Sequence, residues 1–122
     1  MLNSVNQVML VGHLGRDPEM RTTQAGESVA HLAIATSESW KDKKTGVRNE
    51  KTEWHRVVVF GPSADFVGRN FQKGTAVYVR GKLQTQKWQD NAGSDRHSTE
   101  VIVTNGGDIL PLDGLKQKGD GA

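Results

Sequence analysis

The stretch Thr52-Glu53-Trp54-His55-Arg56-Val57-Val58-Val59-Phe60 decides how the rest of this chain is read. Three consecutive valines are stiff at χ1 and favour a pleated backbone over a helix. With a side-chain period of two, Trp54, Arg56, Val58 and Phe60 share one face of the predicted strand, and Glu53, His55, Val57 and Val59 share the other. An arginine between two aromatic rings on one face suits a stacking surface with a charge for phosphates. Base–aromatic stacking contributes roughly 1–3 kcal/mol per base, and a guanidinium adds a cation–π component. The plainer alternative puts Trp54 and Phe60 in the core, with Arg56 reaching out at an edge. The neighbouring stretches decide between them.

Upstream, residues 28–39 alternate cleanly: Val29, His31, Ala33 and Ala35 oppose Ala30, Leu32, Ile34 and Thr36. Such small residues suit a tightly curved sheet. Trp40 closes this strand just before the hydrophilic run Lys41-Asp42-Lys43-Lys44-Thr45-Gly46-Val47-Arg48, so this strand and the Trp54 strand are expected to form a long hairpin. Most charge runs are solvated loops. This one is basic and begins at a tryptophan, which favours an anionic ligand. Further back, residues 4–14 read as a long first strand in which Val5, Val8, Leu10 and Leu14 do not keep perfect alternation. Gly12 suggests a bulge or bend there. Gly15-Arg16-Asp17-Pro18 is turn chemistry. Its glycines are too few for a phosphate loop.

Downstream, Gly61-Pro62-Ser63 breaks the strand, and Phe66, Val67 and Phe71 recur at helical spacing across residues 64–71. Pro62 fits the first turn of that helix and Lys73-Gly74 its end. Both phenylalanines are expected in the core. Residues 75–87 form the next strand, with Val77 and Val79 alternating against Tyr78 and Arg80 and a bend allowed at Gly81. Trp88 opens the turn-rich loop 89–95, and residues 96–104 return as a strand through Val101, Ile102 and Val103. From Gly106 onward there is no period. One domain over residues 1–110 is expected, followed by a flexible end over 111–122.

Composition bounds the function classes. A chain of 122 residues suits one domain with a sizeable core. The pI near 9.0 permits an anionic partner, but a net charge of +2 means that any basic surface comes from placement rather than excess. Without cysteine there is neither a disulfide framework nor a thiolate zinc site. No apolar run approaches the ~20 residues needed to span a bilayer, and no signal segment opens the chain. No membrane partner, metal or cofactor is expected, and a soluble, intracellular protein is the default.

The order strand, strand, strand, helix, strand, strand matches an all-β fold. It is the five-stranded Greek-key barrel called the OB-fold, with one short helix between strands three and four, which binds oligonucleotides and oligosaccharides on its strand 2–3 face. Trp40, Trp54 and Trp88 all fall on polar margins of these strands. That is poor use of tryptophan for a core and good use for stacking.

The run Asn6-Gln7-Val8-Met9-Leu10-Val11-Gly12-His13-Leu14-Gly15-Arg16-Asp17-Pro18-Glu19 resembles the opening motif of the bacterial single-stranded DNA-binding proteins. Residues 35–40 (Ala-Thr-Ser-Glu-Ser-Trp), 52–61 and 81–88 (Gly-Lys-Leu-Gln-Thr-Gln-Lys-Trp) are similar to that family's other signature stretches, in register from about Val5 to Gly107. The resemblance implies a homotetramer, a dimer of dimers, that wraps single-stranded DNA without sequence preference in replication, recombination and repair. It implies a cytoplasmic, nucleoid-associated bacterial protein. It aligns Trp40, Trp54, Phe60 and Trp88 with stacking aromatics and His55 with a subunit-interface histidine. The family adds a linker ending in an acidic, apolar tip that recruits replication and repair proteins. The sequence given ends at Lys118-Gly119-Asp120-Gly121-Ala122 without one, so that recruitment is not expected of it. Pro62 and Gln86 stand where many members carry basic residues, so fewer phosphate contacts are expected there.

The expected mechanism is physical rather than catalytic. Lys43, Lys44, Arg48, Arg56, Lys73, Lys82 and Lys87 are the candidates to neutralise phosphates and release counterions, with Arg21 and Arg96 as weaker ones. An enzyme would need a site. His13, His31, His55 and His97 form no i, i+4 pair, and no nucleophile elbow or paired carboxylate motif occurs. His31, on a Val/Ala face, reads as a hydrogen-bonded structural residue. The rival readings are another OB-fold module and a purely structural assembly subunit. Such a module is a primosome accessory protein, a cold-shock-like RNA binder or an oligosaccharide binder.

Overall fold

The computed structural model describes residues 3–104 and 106–112. Its elements are β1 (Val8–Leu14), β2 (Glu19–Thr22), β3 (Ser28–Lys41), β4 (Arg48–Phe60), α1 (Pro62–Asn70), β5 (Ala76–Gln89), β6 (Asp95–Val103) and β7 (Asp108–Pro111). The strands follow the order β1-β3-β4-β6-β5-β7, and β1 also pairs with β5, which closes β1, β3, β4, β6 and β5 into a five-stranded barrel. All pairings are antiparallel except β4 with β6. This is the expected OB-fold.

The three valines divide as the period of two requires. Val57 and Val59 point into the barrel and are essentially fully buried, among Leu32, Ile34, Val77, Val79 and Val101. Val58 points outward into a second, smaller cluster with Val29 and Ile102, against which Phe60 packs. Helix α1 covers the barrel core with Ala64 and Val67. It starts where expected, with Pro62 in the first turn after Gly61, whose φ of 78° is a left-handed conformation open to glycine. Phe71 ends it, fully buried, and meets Phe66 edge-to-face with ring centroids 5.8 Å apart. Phe66 itself is only partly buried.

Several boundaries differ from expectation. Strand β1 begins at Val8 rather than Ser4, and it pairs with β5 in unbroken register from Val8 to His13. Gly12 is therefore not a bulge. A Cβ there would lie 2.2 Å from the Ala35 carbonyl oxygen, so glycine permits a close approach of strands. The β3–β4 hairpin is longer than predicted, with pairs running from Val29↔Phe60 out to Lys41↔Arg48. Two short strands were not predicted. All four residues of β2 are exposed, so no apolar alternation marks it. Strand β7 lies in the region read as lacking a period; Ile109 is buried while Leu110 stays half exposed. Of the tail expected to be flexible, residues 113–122 lie outside the described residues.

Candidate nucleic-acid interface

Pairing between β4 and β6 spans only Val57↔Val101 to Val59↔Val103. Beyond it the β3–β4 and β5–β6 hairpins continue as two separate arms. On β3 and β4 the outward rows are Val29↔Phe60, His31↔Val58, Ala33↔Arg56 and Ala35↔Trp54. The two alanines leave a low floor with taller side chains at its ends.

Trp54 is 60% exposed, Trp88 50% and Trp40 46%, so none of the three belongs to the core. Trp54 stands over Gly15 in the β1–β2 turn, where a Cβ would come within 2.1 Å of the indole Cζ3. Beside it an open groove of about 610 Å³ is lined by Arg16, Glu19, His31, Arg56 and Glu100, among others. Trp54 and Arg56 also line a second groove, of about 470 Å³, reaching Leu83 and His97 on the other arm. Phe60 and Lys82 share a third, of about 420 Å³.

The structure thus brings Trp54 together with Arg56, and Phe60 together with Lys82. The other expected residues are spread along the arms. Trp40 lies in the outer half of the β3–β4 arm, opposite Asn49, with Lys43 and Lys44 in the turn and Arg48 opening β4. By strand alternation Trp40 faces the side of that arm opposite to Trp54. Trp88 and Lys87 sit near the tip of the β5–β6 arm, where Lys87 Nζ lies 3.3 Å from Asp95. Lys73 lies between α1 and β5, its backbone N–H donating to Asp17. Arg21 and Arg96 are held by Glu19 and Asp90. His55 is half-buried on the inward side of β4, its Nε2 2.8 Å from Thr36 Oγ1.

Two carboxylates are tuned by these contacts. Arg21, through its hydrogen bond and then its charge, holds Glu19 below the usual carboxylate range. The Ser94 backbone N–H, followed by Arg96, does the same to Asp90. Glu19 and Glu100 were not among the residues singled out from sequence, and His31 was read there as structural rather than as part of a binding site. The only signal for Arg16 was its place beside Gly15 in a turn following a strand. His31 makes no side-chain hydrogen bond among the described residues, contrary to expectation. No group of three or more potential metal ligands occurs among the described residues, and no helix among them is long and apolar enough to cross a membrane.

Barrel closure, the helix between β4 and β5 and exposed aromatic rings beside cations define an OB-fold binding module of the nucleic-acid type. Residues 5–107 match the Single-strand binding protein family, and the chain belongs to that family. It superposes on the Plasmodium falciparum single-strand binding protein in complex with single-stranded DNA with a TM-score of 0.84, at 37% identity over 93% of this chain and 99% of that one. A deletion mutant of the single-stranded DNA-binding protein from Thermus aquaticus gives a TM-score of 0.73, at 30% identity over 90% of this chain and 51% of that chain.

Proposed function

We propose that this protein binds single-stranded DNA without sequence preference and protects it during replication, recombination and repair. The observation that carries the reading is Trp54, exposed over Gly15 and flanked by Arg16 and Arg56 in one groove. Bases stack on Trp54, Trp88, Trp40 and Phe60, which tolerates any sequence because every base presents a π-face. Lys43, Lys44, Arg48, Arg56, Lys73, Lys82 and Lys87 neutralise phosphates, and counterion release makes binding steeply salt-dependent. Residues 1–110 carry this activity as one domain.

The assembly is a homotetramer acting in the cytoplasm on nucleoid DNA. Strand β1 supports it: β3 pairs with β1 only at His13 and Leu14, so that edge is open over Val8–Gly12, and Met9 and Val11 beside it are exposed. An open edge with apolar side chains favours pairing with another chain. His55 belongs to a subunit contact in this reading.

Intrinsic tryptophan fluorescence during titration with oligo(dT), at low and high salt, tests the proposal. Deep quenching that saturates at a defined nucleotide ratio, with a salt-sensitive midpoint, is the expected result. Unquenched tryptophans would refute the stacking mechanism.

A further inference from the structure

We infer that His31 is a protonation-dependent phosphate contact for a nucleotide stacked on Trp54; the inference rests on the DNA-binding reading above. Along the outward face of β3, Ala35 sits opposite Trp54, Ala33 opposite Arg56, and His31 opposite Val58. From the Trp54 row to the His31 row is four residues, roughly 13 Å at strand rise. A sugar–phosphate chain leaving a base on Trp54 therefore crosses a floor of two alanines, passes Arg56 and arrives at His31. The imidazole is half-buried, lines this groove and donates to or accepts from no side chain or backbone group among the described residues. It is a polar ring at the end of that track.

The charges around it decide what its proton does. Facing the groove are Arg16 from the β1–β2 turn, Glu19 from β2, Arg56 and His55 from β4, and Glu100 from β6. Helix α1 contributes no charged side chain to the lining; its Asp65 is engaged by Ser28. With the histidines neutral, two arginines balance two carboxylates. A proton on His31 turns a balanced groove into a cationic one. Glu19, directly opposite His31 in the β2–β3 register, is the internal competitor for that proton's charge. Its Oε1 already accepts from Arg21 Nε at 2.9 Å, so a phosphate at His31 competes with a carboxylate whose charge Arg21 and His31 share. Arg21 also keeps Glu19 ionised to lower pH than an ordinary carboxylate, so Glu19 keeps its charge across the pH range of the test below.

The experiment measures oligo(dT) affinity against salt at pH 8 and pH 5.5 for the wild type, His31→Gln and His31→Lys. Each phosphate contact on a single strand adds about 0.7 to the slope of log K against log salt. The wild-type slope is expected to steepen on acidification by about 0.7 more than that of His31→Gln, which retains His13, His55 and His97 as internal controls. His31→Lys should show the steeper slope at both pH values. In parallel, the His31 ring resonance should titrate at higher pH with oligo(dT) bound than without. An identical pH response in wild type and His31→Gln, or a His31 titration unmoved by DNA, overturns the inference while leaving DNA binding intact. Absence of oligo(dT) binding at either pH overturns the underlying reading as well.

Discussion

The indole of Trp54 lies against the backbone of Gly15, so close that a methyl group there would sit 2.1 Å from Cζ3 and 2.5 Å from Cη2. The two residues belong to different elements, β4 and the β1–β2 turn. The glycine fixes where the ring rests. Gly15→Ala is therefore expected to rotate Trp54 out of its place at little cost to the barrel, because the clash is with an exposed side chain that can swing. Oligo(dT) affinity should fall while the urea midpoint stays near wild type. A variant that binds as tightly as wild type would show that ring position is immaterial.

Trp54→Ala and Trp88→Ala should each weaken binding by about 1–3 kcal/mol, roughly 5- to 150-fold, without unfolding the protein. Both rings are at least half exposed, so little core is lost. Equilibrium titration at fixed salt checks this, and unchanged affinity in both variants would remove stacking from the mechanism.

Gly81 poses the opposite case. Strand β5 switches there from partners β1 and β7 to partner β6, and a Cβ would approach the Ile102 carbonyl oxygen to 2.4 Å. Backbone cannot swing aside as a side chain does. Gly81→Ala should destabilise the fold by roughly 1–3 kcal/mol, the usual cost of overpacking. Urea unfolding that matched wild type would show that the barrel relaxes freely at this corner.

His55→Lys removes the contact with Thr36 Oγ1 and puts a strongly hydrated charge on a half-buried site. If the site lies between subunits, an unpaired charge is buried there and the assembly should shift toward smaller species. Sedimentation at micromolar and lower concentration measures it. An intact tetramer throughout would move His55 out of the interface.

Asp90 accepts from the backbone N–H groups of Ala92 and Ser94, at 2.9 and 3.0 Å, and from Arg96 Nε at 3.0 Å. These bonds favour its charged form and lower its pKa. A group whose folded value is depressed contributes stability above its unfolded value and loses it as pH falls through the folded one. The contribution should be complete above about pH 4 and fade below. The difference in melting temperature between wild type and Asp90→Asn should therefore shrink on acidification in that range. A constant difference down to pH 2 would separate Asp90 ionisation from the loop's stability.

The fold was largely legible because alternating strands with one inward face write a period of two, as Val57 and Val59 against Val58 illustrate. Strand β2 left no such trace, since none of its four side chains is buried. The candidate site was legible in its aromatics and less so in its surroundings. Trp54 and Arg56 were visible as neighbours on one strand. Arg16 and Glu100 reach the same groove only because β1, β4 and β6 converge, a long-range pairing that no local spacing encodes. His31 misled for a related reason. A Val/Ala strand face suggests interior, yet that face of β3 turns outward once β4 lies beside it.

In the stacking reading proposed above, the alternation that puts Trp40 and Trp54 on opposite sides of one arm would also select among polymers by stiffness. A strand that engages both rings has to turn around the edge of a two-stranded ribbon, a curvature of nanometre radius. A duplex resists bending over a persistence length of about 50 nm and cannot follow that path intact. On that reading, rejection of double-stranded DNA would need no repulsive contact on the surface: the spacing and orientation of two tryptophans would act as a mechanical gauge that only a limp chain can pass.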